Sequence, residues 1–255
     1  MASDVFIERT GHVALVEFRR PPHNFFDIAL VRDLADAFES LDRDRSCRAL
    51  VLASEGKSFC AGANFQSGGD GERRAGNSNP LYAEAVRLFA SKKPCVAAIQ
   101  GPAVGGGLGL ALVPDFRVVS PLARFAANFV KLGIHPGFGL THTLPRLIGN
   151  QRASLLFLTG RRIDGETALA WGLADRLVPE EALRTTALAL ATEIAEGAPL
   201  AVQATRATLR RDLAAAVKAQ TDHENLEQRK LFPTKDHAEG VQAVKERRTG
   251  RFTGE

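Results

Sequence analysis

The sequence predicts an α/β fold closed by a helical C-terminal quarter. Short apolar, β-branched runs alternate with stretches of helical spacing through most of the chain. Two glycine-rich segments each follow one of those runs directly, and from Ala182 onward the strand-like runs stop. Alternation of this kind is what an α/β sheet requires, because a strand can join a parallel neighbour only through a crossover.

In order along the chain, residues 12–18 (HVALVEF) read as a strand from their alternating apolar and β-branched side chains. Residues 28–41 place Leu30, Val31, Leu34, Ala37, Phe38 and Leu41 on one helical face. Residues 49–53 (ALVLA), 95–99 (CVAAI) and 116–119 read as further strands, with helices at 82–89 and 106–112. Two long amphipathic patterns follow at 183–196 and 200–225, then a shorter one at 236–248. Residues 67–79 hold almost no apolar side chains and are expected to form a mobile loop.

A chain of 255 residues buries a core large enough to need no disulfide or metal staple. Cys47, Cys60 and Cys95 are odd in number and widely spaced, which suggests neither a disulfide framework nor a metal cluster and points to a reducing compartment. The first residues lack a basic start followed by an apolar run, and no apolar stretch is long enough to span a bilayer. A cytoplasmic protein without a membrane partner is therefore expected. The net charge is +4, with much of the excess in Lys245, Arg247, Arg248 and Arg251. A solvated helix face is the plainer reading of that cluster, and an anion site for a phosphate-bearing ligand the sharper one. No aromatic-and-basic stacking platform accompanies it, so nucleic acid is not an expected partner. Walker A, HExxH and GxSxG motifs are absent.

Two segments carry chemistry. Gly56-Lys57-Ser58-Phe59-Cys60-Ala61-Gly62-Ala63-Asn64-Phe65 follows the ALVLA strand, and Gly101-Pro102-Ala103-Val104-Gly105-Gly106-Gly107-Leu108-Gly109 follows CVAAI and runs into a helix. Glycine inside a helix costs about 0.8–1.0 kcal/mol against alanine, so three in a row suggest that something approaches the backbone closely. Each segment alone is compatible with an ordinary turn. Together they suit a pair of converging backbone N–H groups, which is what a negatively charged oxygen developing on a thioester needs.

With these residues the chain resembles the crotonase (enoyl-CoA hydratase/isomerase) superfamily. The likeness runs through Arg20-Pro21-Pro22-His23-Asn24, GKSFCAGAN, KKPCVAAIQGPAVGGGLGLAL, ARFAANFVKLGIHPGFGLTHTLPRLIG, LTGRRIDGETALAWGLADRLVP and TKDHAEGVQAVKERR. It implies a spiral of ββα turns over residues 1–195 that binds acyl-CoA. Residues 196–255 would form a helical region that assembles trimers, often paired into hexamers. No separate cofactor is implied, CoA being part of the substrate. By position, the amides of Ala63 and Gly106 would form the oxyanion hole and Ala61 would face the adenine. His23, Phe25 and Phe26 would line the pantetheine path, with Asn64, Phe65 and Gly105 beside it. Arg247 would reach the CoA phosphate of a neighbouring subunit.

The likeness also implies two hydratase glutamates, and this chain has Gly109 and Phe129 in their places. An acid used by many family isomerases would fall near Gly137 and is also missing. His135 is the candidate acid or base in their stead, since histidine titrates near neutral pH; a loop-positioning role is its plainer reading. Asn128, Tyr82 and Glu84 are further polar candidates. The expected function is an acyl-CoA reaction through a stabilised enolate, of hydratase/isomerase type but without the glutamates. The alternatives are a non-catalytic acyl-CoA-binding protein or another enolate reaction such as thioester hydrolysis, decarboxylation or retro-aldol cleavage.

Overall fold

A computed structural model describes residues 4–63 and 79–255. Strands β1 (Val5–Thr10) and β2 (Val13–Phe18) form an antiparallel hairpin, followed by α1 (Ile28–Arg43) and β3 (Ala49–Ser54). Next come α2 (Pro80–Phe89), β4 (Cys95–Ile99), β5 (Pro102–Val104), α3 (Gly106–Ala111), β6 (Phe116–Val119) and β7 (Arg124–Ala126). A 3-10 turn (Asn128–Leu132) leads to α4 (Leu140–Ile148), α5 (Asn150–Thr159), β8 (Arg162–Asp164), α6 (Gly165–Trp171) and β9 (Arg176–Leu177). The chain ends in α7 (Leu183–Glu196), α8 (Pro199–Leu209), α9 (Leu213–Leu231) and α10 (Lys235–Lys245).

The strands form one sheet in the order β1-β2-β3-β4-β6-β9, parallel beyond the first hairpin, and a smaller sheet in the order β5-β7-β8. A parallel sheet needs both faces covered, and the strand residues alternate accordingly. Leu50, Leu52, Cys95, Ala97 and Ile99 point into the core shared with Leu34 and Phe38 of α1 and Leu88 of α2. Ala49, Val51, Ala53, Val96 and Ala98 point the other way, against α7. There Ala187, Ala191 and Ala195, four residues apart, make a small-residue stripe that lets the helix lie close on the strands.

The sequence-based elements are present, the short strands β5, β7, β8 and β9 and helices α4 to α6 being additional to them, and further differences have physical reasons. Strand β1 was not anticipated; it is a largely exposed edge strand carrying Glu8 and Arg9, so it lacks the apolar alternation of a half-buried one. The continuous helix expected over 200–225 is broken between α8 and α9, where Asp212 adopts φ +64, a conformation aspartate tolerates better than most. Just before the break, Arg206 Nε and Arg210 Nη1 donate to the two oxygens of Asp115, each at 2.8 Å, which ties the end of α8 to the loop before β6. The helix expected over 236–248 ends at Lys245, with Arg247 at φ +56 just beyond it. The loop expected at 67–79 falls, except for Asn79, outside the described residues. Among the described residues no helix is long and apolar enough to cross a membrane.

Helix α9 packs against α2 and α4 and pins the loop between the 3-10 turn and α4. Its Glu224 is fully buried and accepts from Gly139 N–H (2.7 Å), Thr141 N–H (3.0 Å) and Thr141 Oγ1 (2.6 Å), so it caps α4 from another helix. Burial raises the carboxyl from its ordinary 4.5 to about 7, and those three donors only partly oppose the rise. A folded-state value above the unfolded one means the group binds its proton more tightly in the native protein. Its contribution is therefore complete below about pH 4.5 and is lost as the pH rises through about 7. The melting temperature of the wild type should fall more than that of Glu224→Gln between about pH 5 and about pH 8. Parallel profiles for the two proteins would show that this carboxyl is not titrating abnormally.

Candidate active site

The register of Leu50 with Cys95, Val51 with Val96 and Leu52 with Ala97 brings the carboxyl ends of β3 and β4 side by side. The two glycine-rich segments leave from those ends and pair with each other. Cys60 N–H donates to the Pro102 carbonyl and Val104 N–H to the Cys60 carbonyl, both at 3.0 Å. Backbone then meets backbone with no room between. Gly62 sits at φ +83, and a Cβ on it would lie 2.7 Å from the Val104 carbonyl oxygen and 3.4 Å from Gly106 N. A Cβ on Gly107 would lie 2.0 Å from the Cys60 carbonyl oxygen. Glycine is demanded here by close approach, as the three consecutive glycines suggested.

A third segment closes the arrangement. Ala61 N–H donates to the His23 carbonyl (2.9 Å) and Phe26 N–H to the Gly62 carbonyl (3.0 Å). Asn24, buried and at φ +50, fixes this segment: its Nδ2 donates to the carbonyls of Glu55 (2.6 Å) and Ser58 (2.7 Å), while its Oδ1 accepts from Arg20 N–H (2.8 Å). The ring of Phe26 stands over Gly106, where a Cβ would lie 2.4 Å from its Cζ.

Ala63 and Gly106 line one cavity of about 170 Å³, together with Phe25, Phe26, Ala61, Gly105 and Phe129. Among the hydrogen bonds of the described residues, neither the Ala63 nor the Gly106 N–H has an acceptor. Both residues therefore border a shared, largely apolar space. His23 contributes its carbonyl to Ala61, and its ring lies 5.5 Å from that of Phe25. Asn64 and Phe65 lie outside the described residues.

Other expected residues are placed elsewhere. Gly109 does not line the cavity: a Cβ on it would lie 2.7 Å from Phe138 Cδ1 and 2.8 Å from Phe138 Cβ, so the Phe138 ring occupies the space that a side chain there would need. His135 lines a second cavity of about 490 Å³ with Leu158 and Glu255, and its Nδ1 lies 2.8 Å from the Pro136 carbonyl oxygen. The structure thus does not bring its side chain to the amide pair. Glu84 pairs with Arg32 (3.1 Å) and Arg87 (2.5 Å) and is absent from the cavity lining. Arg247 is exposed beyond the end of α10, two residues from Lys245, which does line the cavity.

Tyr82 and Asn128 do reach the cavity, and with them Gln228 of α9, which the sequence reading missed. A lone glutamine on a polar helix carries no sequence signal. The one available hint is Gly137, where a Cβ would lie 1.9 Å from Tyr82 Oη and 2.7 Å from Gln228 Nε2. A glycine in that loop leaves room for side chains arriving from other elements. Among the described lining residues there is no aspartate or glutamate. Cys60, beneath the site, is fully buried, which pushes its thiol up to about 12, so it stays protonated and is no nucleophile.

A family model described as enoyl-CoA hydratase/isomerase matches residues 8–255. The chain belongs to the enoyl-CoA hydratase/isomerase family. Its fold is accordingly that of the crotonase superfamily, and it is an enzyme of that family type. It is 32% identical over 253 residues to the 2,3-dehydroadipyl-CoA hydratase of Escherichia coli, covering 99% of both chains. It is 36% identical over 274 residues to an enoyl-CoA isomerase/hydratase of Zymoseptoria tritici, covering 99% of this chain and 87% of that one. Among solved structures, the carnitinyl-CoA hydratase from Mycobacterium avium superposes with a TM-score of 0.88 at 31% identity, over 100% of both chains.

The packing of Phe138 on Gly109 has a measurable consequence. Phe138 also contacts the rings of Phe26 (5.5 Å between centroids) and Phe89 (6.5 Å), so it has little freedom to yield. Gly109→Ala should cost about 1–3 kcal/mol in urea denaturation through overpacking. Combined with Phe138→Ala, it should cost less than the sum of the two single changes by at least about 0.5 kcal/mol. Strict additivity would show that the two residues do not share that space.

Proposed function

We propose that this protein binds acyl-CoA thioesters and polarises the thioester carbonyl with the N–H groups of Ala63 and Gly106. The carrying observation is that pair of donors without acceptors, lining one apolar cavity. Two preorganised dipoles aimed at one point stabilise an enolate oxygen without needing any side chain, and one such donor is worth about 2.7–4 kcal/mol in a transition state. Placement of the thioester there would direct the acyl group toward Phe129, Leu132, Ile134 and Phe138 and the CoA portion toward the mouth, where Lys245 and the neighbouring Arg247 could meet its phosphates.

The reaction we assign is an enolate reaction on the acyl group, with hydration of simple enoyl thioesters slow. Hydration needs a group that takes a proton from water, and general acid–base catalysis contributes roughly 10²–10⁴-fold. Neither Gly109 nor Phe129 can supply it, and the described cavity lining holds no carboxylate to replace them. A second reading, an acyl-CoA-binding protein without turnover, is favoured by the same lack of an acid.

Butyryl-CoA at about a hundred times its dissociation constant should raise the melting temperature by on the order of 5 °C, whereas free butyrate should not. An unmoved transition with acyl-CoAs would remove the basis of the proposal. Crotonyl-CoA hydration should be absent or about 10²–10⁴-fold slower than in relatives that retain both glutamates. Brisk hydration by the wild type would place an effective base in the site. Turnover of a panel of acyl-CoAs separates the enzyme from the binding protein.

We also assign a trimer or a pair of trimers. In its support, Leu158, Leu200 and Leu209 are all at least three-quarters exposed in the single chain, apolar side chains that assembly would cover. Light scattering should report three or six times the chain mass; a monomer at micromolar concentration would contradict this.

A further inference from the structure

Phe138 stands in a backbone conformation that its side chain opposes. Leu140 N–H donates to the Gly137 carbonyl (3.3 Å), closing a tight turn whose two central residues, Phe138 (φ +64) and Gly139 (φ +72), are both left-handed. Such turns are normally built from glycine, asparagine or aspartate, and a bulky residue at positive φ is held there only by its surroundings. Those surroundings are themselves unusual. Gly139 N–H and Thr141 N–H donate to different oxygens of Glu224, a carboxyl with no exposed surface. Gln220 Nε2 donates to Thr141 Oγ1 (2.8 Å), which leaves that hydroxyl's own proton for Glu224. A strained backbone and a buried carboxyl thus serve one result, the position of the Phe138 ring. The ring is 1% exposed, packs against Phe26, Phe89 and Gly109, and forms part of the wall of the cavity that Gly106 also lines. Strain of this kind is retained where the placement of a side chain matters to function.

Resting on the reading of this cavity as an acyl-thioester site, we infer that Phe138 is the stop that sets how long an acyl chain the site accepts, and that Glu224 is the positioning residue that holds it there. Gly109 of α3 and Phe89 of α2 lie against the ring, both buried, so its removal extends the cavity into apolar space. An apolar void takes up an apolar ligand rather than water. Glu224 acts only through the turn. A carboxamide in its place has a single accepting oxygen, so either Gly139 N–H or Thr141 N–H would face an NH2 group instead.

The test is calorimetric binding of butyryl-, hexanoyl-, octanoyl- and decanoyl-CoA to the wild type, Phe138→Ala, Phe138→Gly and Glu224→Gln. Each methylene buried adds about fourfold in affinity, so wild-type affinity should rise along the series and then stop rising. The first ligand past that point should bind Phe138→Ala on the order of tenfold more tightly than the wild type, as its added methylenes enter the vacated space. Phe138→Gly removes the same ring and accepts φ +64 without strain, so it should show the same gain even where the alanine variant fails to fold. Glu224→Gln should show a smaller gain for that ligand while keeping its affinity for butyryl-CoA. A role confined to stability would lower the melting temperature and leave the length profile unchanged. The inference is overturned if wild-type affinity climbs through decanoyl-CoA, or if Phe138→Gly or Glu224→Gln keeps the wild-type profile. If butyryl-CoA does not bind the wild type, the thioester reading itself fails, and the inference with it.

Discussion

Everything at the site depends on the parallel pairing of β3 with β4. That register delivers two backbone segments to the same edge of the sheet, where Cys60 and Val104 cross-bond them. The segments then lie so close that a methyl group on Gly62 or Gly107 would sit inside a carbonyl's contact distance. Backbone contact of this kind is what the proposed role of the amides rests on. Ala63 and Gly106 line the cavity, and the neighbouring carbonyls of Cys60, Gly62 and Ala126 are taken by the N–H groups of Val104, Phe26 and Gly105. Such donors are rigid, since moving them would mean breaking the lacing that holds Gly62 against β5. They are preorganised without any side chain being held in place.

The acyl end of the cavity is built on a different principle. It is walled by rings and aliphatic side chains, and its polar side chains arrive from α2, the 3-10 turn, α9 and α10 rather than from the strand ends. Phe138 is central to that wall. It fills the space beside Gly109, touches Phe26 and Phe89, and adjoins the loop that Glu224 pins. A carboxylate at Gly109 is therefore excluded by volume as well as by sequence. The cavity thus combines backbone amides on one side with a wall of rings, and a tyrosine–glutamine hydrogen bond stands in that wall.

The helices after Ala182 have two jobs that a reading by layers would separate. Helix α7 covers the rear face of the sheet through its alanine stripe, whereas α9 reaches the front and supplies Gln228 and Glu224. The C-terminal helices thus contribute to the site as well as lying outside the strands. The tie of Arg206 and Arg210 to Asp115 anchors the end of α8 just before the break that precedes α9.

Much of this was legible in the chain itself. The apolar periods located β2, β3, β4, β6, α1, α2 and α7, because residues buried on both faces of a parallel sheet or along one helical stripe leave a local pattern. The two glycine-rich segments marked the site for a similar reason: a backbone approach that permits no Cβ is written as glycine at the positions concerned. The tertiary structure alone decided the rest. Strand β1 carries no apolar alternation because the sheet edge does not demand it, and the break at Asp212 falls just past Arg210, which a carboxylate 95 residues earlier in the chain holds. The polar wall followed the same logic. His135 was a candidate acid or base beside its loop-positioning reading, and its side chain lines a second cavity while its carbonyl accepts from Gln228. Tyr82 and Gln228 are separated by 146 positions, and only folding places them at one hydrogen bond's distance. Local sequence determines what the backbone must do at a point; which side chains meet there is set by long-range packing, which no local pattern records.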